Sequence, residues 1–132
     1  MTPFEKGDSM NEKTGNEFEK EVAEWLKNNG FWVLRIPHSR NGQPFDIIAV
    51  GNDKVFAVDC KTCLTDRFSL LRIEENQKAS MTLFKKLNPQ KKYIACFAFK
   101  FADNSIIFVP YEKLVEIKSK TITKKELEMM ML

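Results

Sequence analysis

The chain is poor in the residues that most often announce a chemistry: it has 1 His, 3 Cys, 5 Gly and 5 Pro among 132 residues. No apolar run approaches the ~20 residues that a membrane-spanning helix needs, and no membrane partner is expected. With 43% hydrophobic and 30% charged residues, the composition is that of a folded chain rather than a disordered or low-complexity one. Residues 1–14 are polar and charged, so no secretory signal is expected there. The odd set Cys60, Cys63 and Cys96 then fits free thiols in a reducing, cytoplasmic setting. Cys60-x-x-Cys63 is two ligands short of a zinc site, and it ends an apolar run instead of opening a helix as a redox pair would. The bland reading, small buried residues, is the expectation. No glycine-rich loop exists to cradle a phosphate, so no nucleotide cofactor is expected. There is no G-x-S-x-G elbow, and neighbouring His38 and Ser39 have no triad geometry. His38 itself reads as an exposed loop residue. The net charge of +3 permits a nucleic-acid partner without requiring one.

What is present is a regular succession of patterns. Residues 1–12 read as a flexible arm, and 13–132 as one domain. Phe18, Val22, Trp25 and Leu26 recur at the spacing of an amphipathic helix that ends at Asn29-Gly30. Residues 31–36 and 45–50 are β-formers separated by a polar turn from Pro37 to Pro44. Gly51-Asn52-Asp53 is a tight turn, so residues 54–62 should return as an antiparallel partner. A loop with Asp66 and Arg67 follows, then a second helix over 73–87 that Asn88-Pro89 stops. Residues 93–101 are continuously apolar, as suits the middle of a sheet. Strand 105–109 and a short helix from Pro110 come last, before a mixed tail. The order α-β-β-β-α-β-β predicts an α/β fold with one mixed sheet flanked by helices.

Several charges break this pattern. Asp59 interrupts the run Val55–Cys60, and Lys61, two residues on, points the same way. This is either a salt bridge at a sheet end or part of a site, since a lone buried carboxylate is costly. Asp46 interrupts the preceding strand, and a tight hairpin would set it beside Asp59. Two such carboxylates call for a cation between them, either Lys61 or a divalent metal such as magnesium or manganese. On a wheel of ~100° per residue with Phe18 at zero, Glu19 falls near 100° and the acids Glu17, Glu21 and Glu24 between about 240° and 300°. Glu19 is thus the acid at the margin of the buried face, turned either to water or to the sheet. Gln77 shares a face of the second helix with Ile73, Met81 and Phe84, satisfied by backbone or reaching into a site.

Together these residues resemble the PD-(D/E)xK nuclease superfamily, with Pro44-Phe45-Asp46 and Asp59-Cys60-Lys61 as the two halves of the motif. Gly15-Asn16-Glu17-Phe18-Glu19-Lys20 resembles the G-x-x-x-E-R opening of the archaeal Holliday junction resolvase family. Residues 30–39 resemble its G-F-x-V-x-R-x-P-x-S segment, Asp46-Ile47-Ile48-Ala49 its D-I-I-A strand, and residues 108–114 its F-[IV]-P-x-E-x-L ending. The resemblance implies a restriction endonuclease-like fold and a Mg2+-dependent endonuclease, with Mn2+ as a substitute. Asp46, Asp59 and Glu19 would hold the metal and Lys61 would lie beside the attacking water, with Ser39 and Gln77 in support. Arg35 would face DNA phosphate, with Arg40, Lys13, Arg67, Lys85 and Lys86 as further basic candidates. The implied substrate is branched DNA, cut by a homodimer at whose interface Met129–Leu132 could pack. Three departures from the family pattern stand out: Asp59 replaces the usual Glu, the turn from Ser39 to Asp46 is shorter and less basic, and Lys20 replaces Arg. The alternatives are an endonuclease on other DNA, restriction-like or nicking, and a silent nucleic-acid- or protein-binding relative.

Overall fold

The computed structural model describes residues 3–40 and 42–132, with side chains from Gly15 onward. Helix α1 (Pro3–Asn28) leads into strands β1 (Trp32–Arg35), β2 (Ile47–Val50) and β3 (Val55–Thr62). A short strand β4 (Arg67–Ser69) and a 3-10 turn precede helix α2 (Glu75–Leu87). Then follow β5 (Tyr93–Lys100), β6 (Ile106–Pro110), α3 (Tyr111–Val115), β7 (Thr121–Thr123) and α4 (Lys124–Met130).

Five strands form one sheet in the order β1-β2-β3-β5-β6, and β4 pairs with β7 in a second, two-stranded one. Only β3 and β5 run parallel, with Asp59 opposite Phe97 and Lys61 opposite Phe99. The β2–β3 hairpin closes as its turn residues require, Gly51 N–H donating to the Lys54 carbonyl at 2.8 Å. Side chains alternate across this sheet, and the core divides accordingly. One face buries Val58, Cys96 and Ala98 against Phe18, Val22, Ala23 and Leu26 of α1. The other buries Ala57, Phe97 and Phe99 against Met81 of α2, Leu114 of α3, Leu127 of α4 and Phe68 of β4. Asp59 and Lys61 continue the alternation of Ala57, so both face α2.

The elements depart from the sequence reading at four places. Helix α1 begins at Pro3, within the stretch read as an arm; proline suits a first helical position, and no other proline occurs before Pro37. Trp25, placed on the apolar face, is 53% exposed and lies on the Phe108 ring. The buried arc is Phe18, Val22, Ala23 and Leu26, whose centre falls at about 70° on the wheel, so Glu19 sits inside it rather than at its margin. The loop after β3 and the mixed tail meet as β4 and β7, a pairing too short to read from either partner alone. The tail's α4 did carry a local signal, Thr123 and Glu126 forming a capping box. Among the described residues, no helix is long and apolar enough to cross a membrane.

Phe99 is wholly buried and stacks edge-on to Phe68 at 4.9 Å between ring centroids. We expect Phe99→Ala to cost about 3–5 kcal/mol in denaturant unfolding, against under about 0.5 kcal/mol for Leu71→Ser on the surface.

Candidate metal-binding nuclease site

Asp46 lies one residue before β2 yet is fixed like a strand residue. Its N–H donates to the Val58 carbonyl at 2.9 Å, and its carbonyl accepts from Ile36 N–H at 2.8 Å. The carboxylate accepts from the Cys60 N–H at 2.7 Å and from Gln43 Nε2 at 3.0 Å. This places it beside Asp59, as the hairpin required.

Asp59 has no exposed surface. Its Oδ1 accepts from Gln77 Nε2 at 3.2 Å. Its Oδ2 lies 3.1 Å from Lys61 Nζ, an ion pair without hydrogen-bond alignment, so this buried oxygen has no hydrogen-bond partner. Burial, and then the neighbouring Asp46 charge, push the carboxyl up to about 7, with Lys61 opposing. Gln77 resolves the choice left by the sequence by doing both things at once. Its Oε1 accepts from the Glu74 N–H that opens α2 and from Lys61 Nζ, each at 3.1 Å, while its Nε2 serves Asp59. These three bonds fix which way the amide points.

Glu19 enters from α1. His38 Nε2 lies 2.8 Å from its Oε2, and Arg35 lies 3.7 Å from its Oε1. Burial and the Asp46 charge raise the Glu19 carboxyl above its ordinary value, against the pull of His38 and Arg35. One ligand atom from each of Glu19, His38 and Asp46 falls within 4.8 Å of the others. Glu19, Asp46, Asp59, Lys61 and Gln77 all line one open cavity of about 460 Å³, together with His38, Gln43 and Arg72.

Other expected residues lie elsewhere. Ser39 donates to the Gly42 carbonyl at 2.8 Å, tying its own loop, and does not line the cavity. Arg35 stays exposed, with its guanidinium 3.7 Å from Glu19 and donating to the Asn16 carbonyl at 3.3 Å. Arg40 and Arg67 are exposed, and the Lys13 side chain lies outside the described residues. Lys85 is committed to the Tyr93 carbonyl at 2.6 Å. Three site residues were missed or discounted. His38 is an exposed loop residue, as read, yet its Nε2 partners Glu19; Gln43 braces Asp46, and Arg72 reaches the Thr62 carbonyl at 2.8 Å across the Phe68 ring. Only Gln43, three residues before Asp46, had a local signal. The cysteines are free, and burial raises the thiols of Cys60, Cys63 and Cys96, which leaves them unreactive.

The donors suit a hard divalent cation. Glu19 and Asp46, with His38, bring a ligand atom each within 4.8 Å of the others, while Asp59 lines the same cavity outside that group. The Glu19 and Asp59 carboxyls are held above their ordinary range by burial and the Asp46 charge, and one buried oxygen lacks a donor.

A family profile described as archaeal Holliday junction resolvase (hjc) matches residues 10–130. No curated protein sequence matches the chain. Among solved structures, that of "Archaeoglobus fulgidus Hjc, a Holliday junction resolvase from an archaeal hyperthermophile" superposes with a TM-score of 0.68 at 19% identity, over 87% of this chain and 93% of that one. The fold is therefore restriction endonuclease-like, as the resemblance implied.

In metal-free protein, Asp59 should make stability fall with rising pH. The folded carboxyl keeps its proton to about 7, while the unfolded one releases it near 3.8. Stability from this group is therefore greatest below the lower value and declines up to the higher one. Thermal unfolding in a chelator should show Asp59→Asn gaining on wild type between those two pH values. Parallel pH profiles would mean that the carboxyl is not held protonated.

Proposed function

Because the chain belongs to the archaeal Holliday junction resolvase family, we propose that it is a divalent-metal-dependent endodeoxyribonuclease that cuts four-way DNA junctions inside the cell. The observation that carries this reading is the convergence of Glu19, Asp46, Asp59 and Lys61 on one cavity. Mg2+ or Mn2+ would be held by Asp46, Asp59 and Glu19. Such a cation supplies charge neutralisation at the phosphate and a more acidic water.

The chain's own groups do the rest. Lys61 presents its ammonium to the cavity, where it orients the attacking water and offsets the charge that develops on the phosphate. Gln77 Oε1 and Asp59 Oδ2 each hold that ammonium at 3.1 Å. Asp46, clamped by Cys60 N–H and Gln43, cannot swing out of the site. Arg72, at the cavity rim, is placed to meet a DNA phosphate. Paired nicks across a junction require two such sites, and we take the working form to be a two-fold dimer. Exposed Met129, Met131 and Leu132, beside the β6 strand that Leu132 N–H reaches, offer apolar surface for it.

The test compares a synthetic four-way junction with linear duplex of the same sequence, in Mg2+ at low salt. Wild type should give paired symmetric nicks on the junction alone. Asp46→Ala and Lys61→Met should each lower cleavage by about 10²–10³-fold or more. Both should leave junction affinity within about threefold, since affinity comes from basic contacts to phosphate. Equal cutting of both substrates would indicate a general nuclease. Binding without cutting in either metal would overturn the enzymatic reading.

A further inference from the structure

His38 is the one histidine of the chain, and it occupies the position between Pro37 and Ser39 that the family pattern leaves unspecified. Its neighbour Ser39 is tied to the turn at Gly42. Ser39 Oγ bonds the Gly42 carbonyl, and Gly42 sits at φ +78, a left-handed conformation that glycine adopts freely. An added Cβ there would come within 2.6 Å of Asn76 Nδ2 on α2, so the loop lies close against that helix. The imidazole is thereby set over Glu19, with Nε2 2.8 Å from Oε2. The two atoms are hydrogen-bonded to each other and belong to residues lining one cavity, so both would be in reach of a single cation. The Asp46 carboxylate completes the group within 4.8 Å. A second observation points to a cation: Asp59, which lines the same cavity, has a buried Oδ2 with no hydrogen-bond partner, lying 3.1 Å from Lys61 Nζ.

We propose that His38 Nε2 is a ligand of the cation held by Glu19 and Asp46, and that it tilts this site from magnesium toward manganese and related transition ions. The inference rests on the metal-dependent reading above. Magnesium is satisfied by oxygen donors and water, whereas an imidazole nitrogen favours transition ions. Among the described residues His38 Nδ1 makes no hydrogen bond, so the ring proton can reside there while Nε2 gives its lone pair. The imidazole also exchanges its contact with Glu19 for one to the ion, which frees Glu19 Oε2 to ligate as well.

Mn2+ binding to the full chain without DNA tests this, by the loss of the free Mn2+ spectrum in electron paramagnetic resonance. Magnesium affinity is measured by competition, and His38→Ala, His38→Gln and Asp46→Ala are compared with wild type. The expected result is a nitrogen coupling to bound Mn2+ in wild type that His38→Ala lacks. Mn2+ affinity should fall about tenfold or more in that variant while Mg2+ affinity changes far less. His38→Gln should keep the fold, checked by its melting curve, and lose the nitrogen coupling. Mn2+ bound without nitrogen coupling, unaffected by His38→Ala yet lost in Asp46→Ala, would overturn the role of His38 and leave the acidic site standing. No binding of Mn2+ to wild type would overturn both.

Discussion

The carboxylate of Asp59 is completely buried between the amide of Gln77 and the ammonium of Lys61, and much of the molecule is arranged around that contact. A charge so placed is tolerated only if its surroundings supply counter-charge and donors. Lys61 supplies the first from the same strand face. Gln77 supplies the second from α2, whose first turn it also caps. The helix start, the ammonium and the acid therefore share one side chain. Asp46 and Glu19 add further negative charge nearby, and each has its own brace, the Cys60 amide for one and His38 with Arg35 for the other. The phenylalanine-rich core on the α2 face, with Phe97 and Phe99 directly across from Asp59 and Lys61, offsets this local cost.

That arrangement explains why some of the site was legible in the sequence and some was not. Asp46 and Asp59 each interrupt a run of β-formers, and interruption of a strong local pattern is visible without a structure. Lys61 follows from strand alternation, and Gln77 from helical spacing. The β2–β3 pairing followed from the same patterns, because one tight turn dictates that hairpin and thus the meeting of the two acids. His38 and Arg72 were not legible: His38 acts from a loop through Glu19, 19 residues away, and Arg72 ends a 3-10 turn too short to show a period. Ser39, beside the motif in sequence, lies outside the cavity, with its hydroxyl donating to the Gly42 carbonyl of its own turn. Glu19 was found by the wheel but set too far out, because Trp25 was counted as core when the small Ala23 was the better marker of the buried arc.

Family membership and local chemistry address different questions here. The profile match and the shared fold identify the kind of protein. At 19% identity the residues that brace the acids need not be shared with the solved relative. Gln43 and His38 come from the turn between β1 and β2, and Arg72 from the segment before α2. The acids and lysine are set by the sheet, while their hydrogen-bonding partners are set by loops, which are the parts of a fold most free to vary.

Because β3 and β5 are parallel, no hairpin can join them. The chain between Thr62 and Tyr93 must cross over the sheet, and α2 with Gln77 is carried on that crossover. The turns at Gly51–Lys54 and Phe101–Ser105 join antiparallel neighbours, and their lengths can drift without changing the topology. The crossover has no such latitude, since shortening it below a helix would cost the sheet its central pair. The partner of the buried acid is therefore lodged in the connection that deletions are least able to remove.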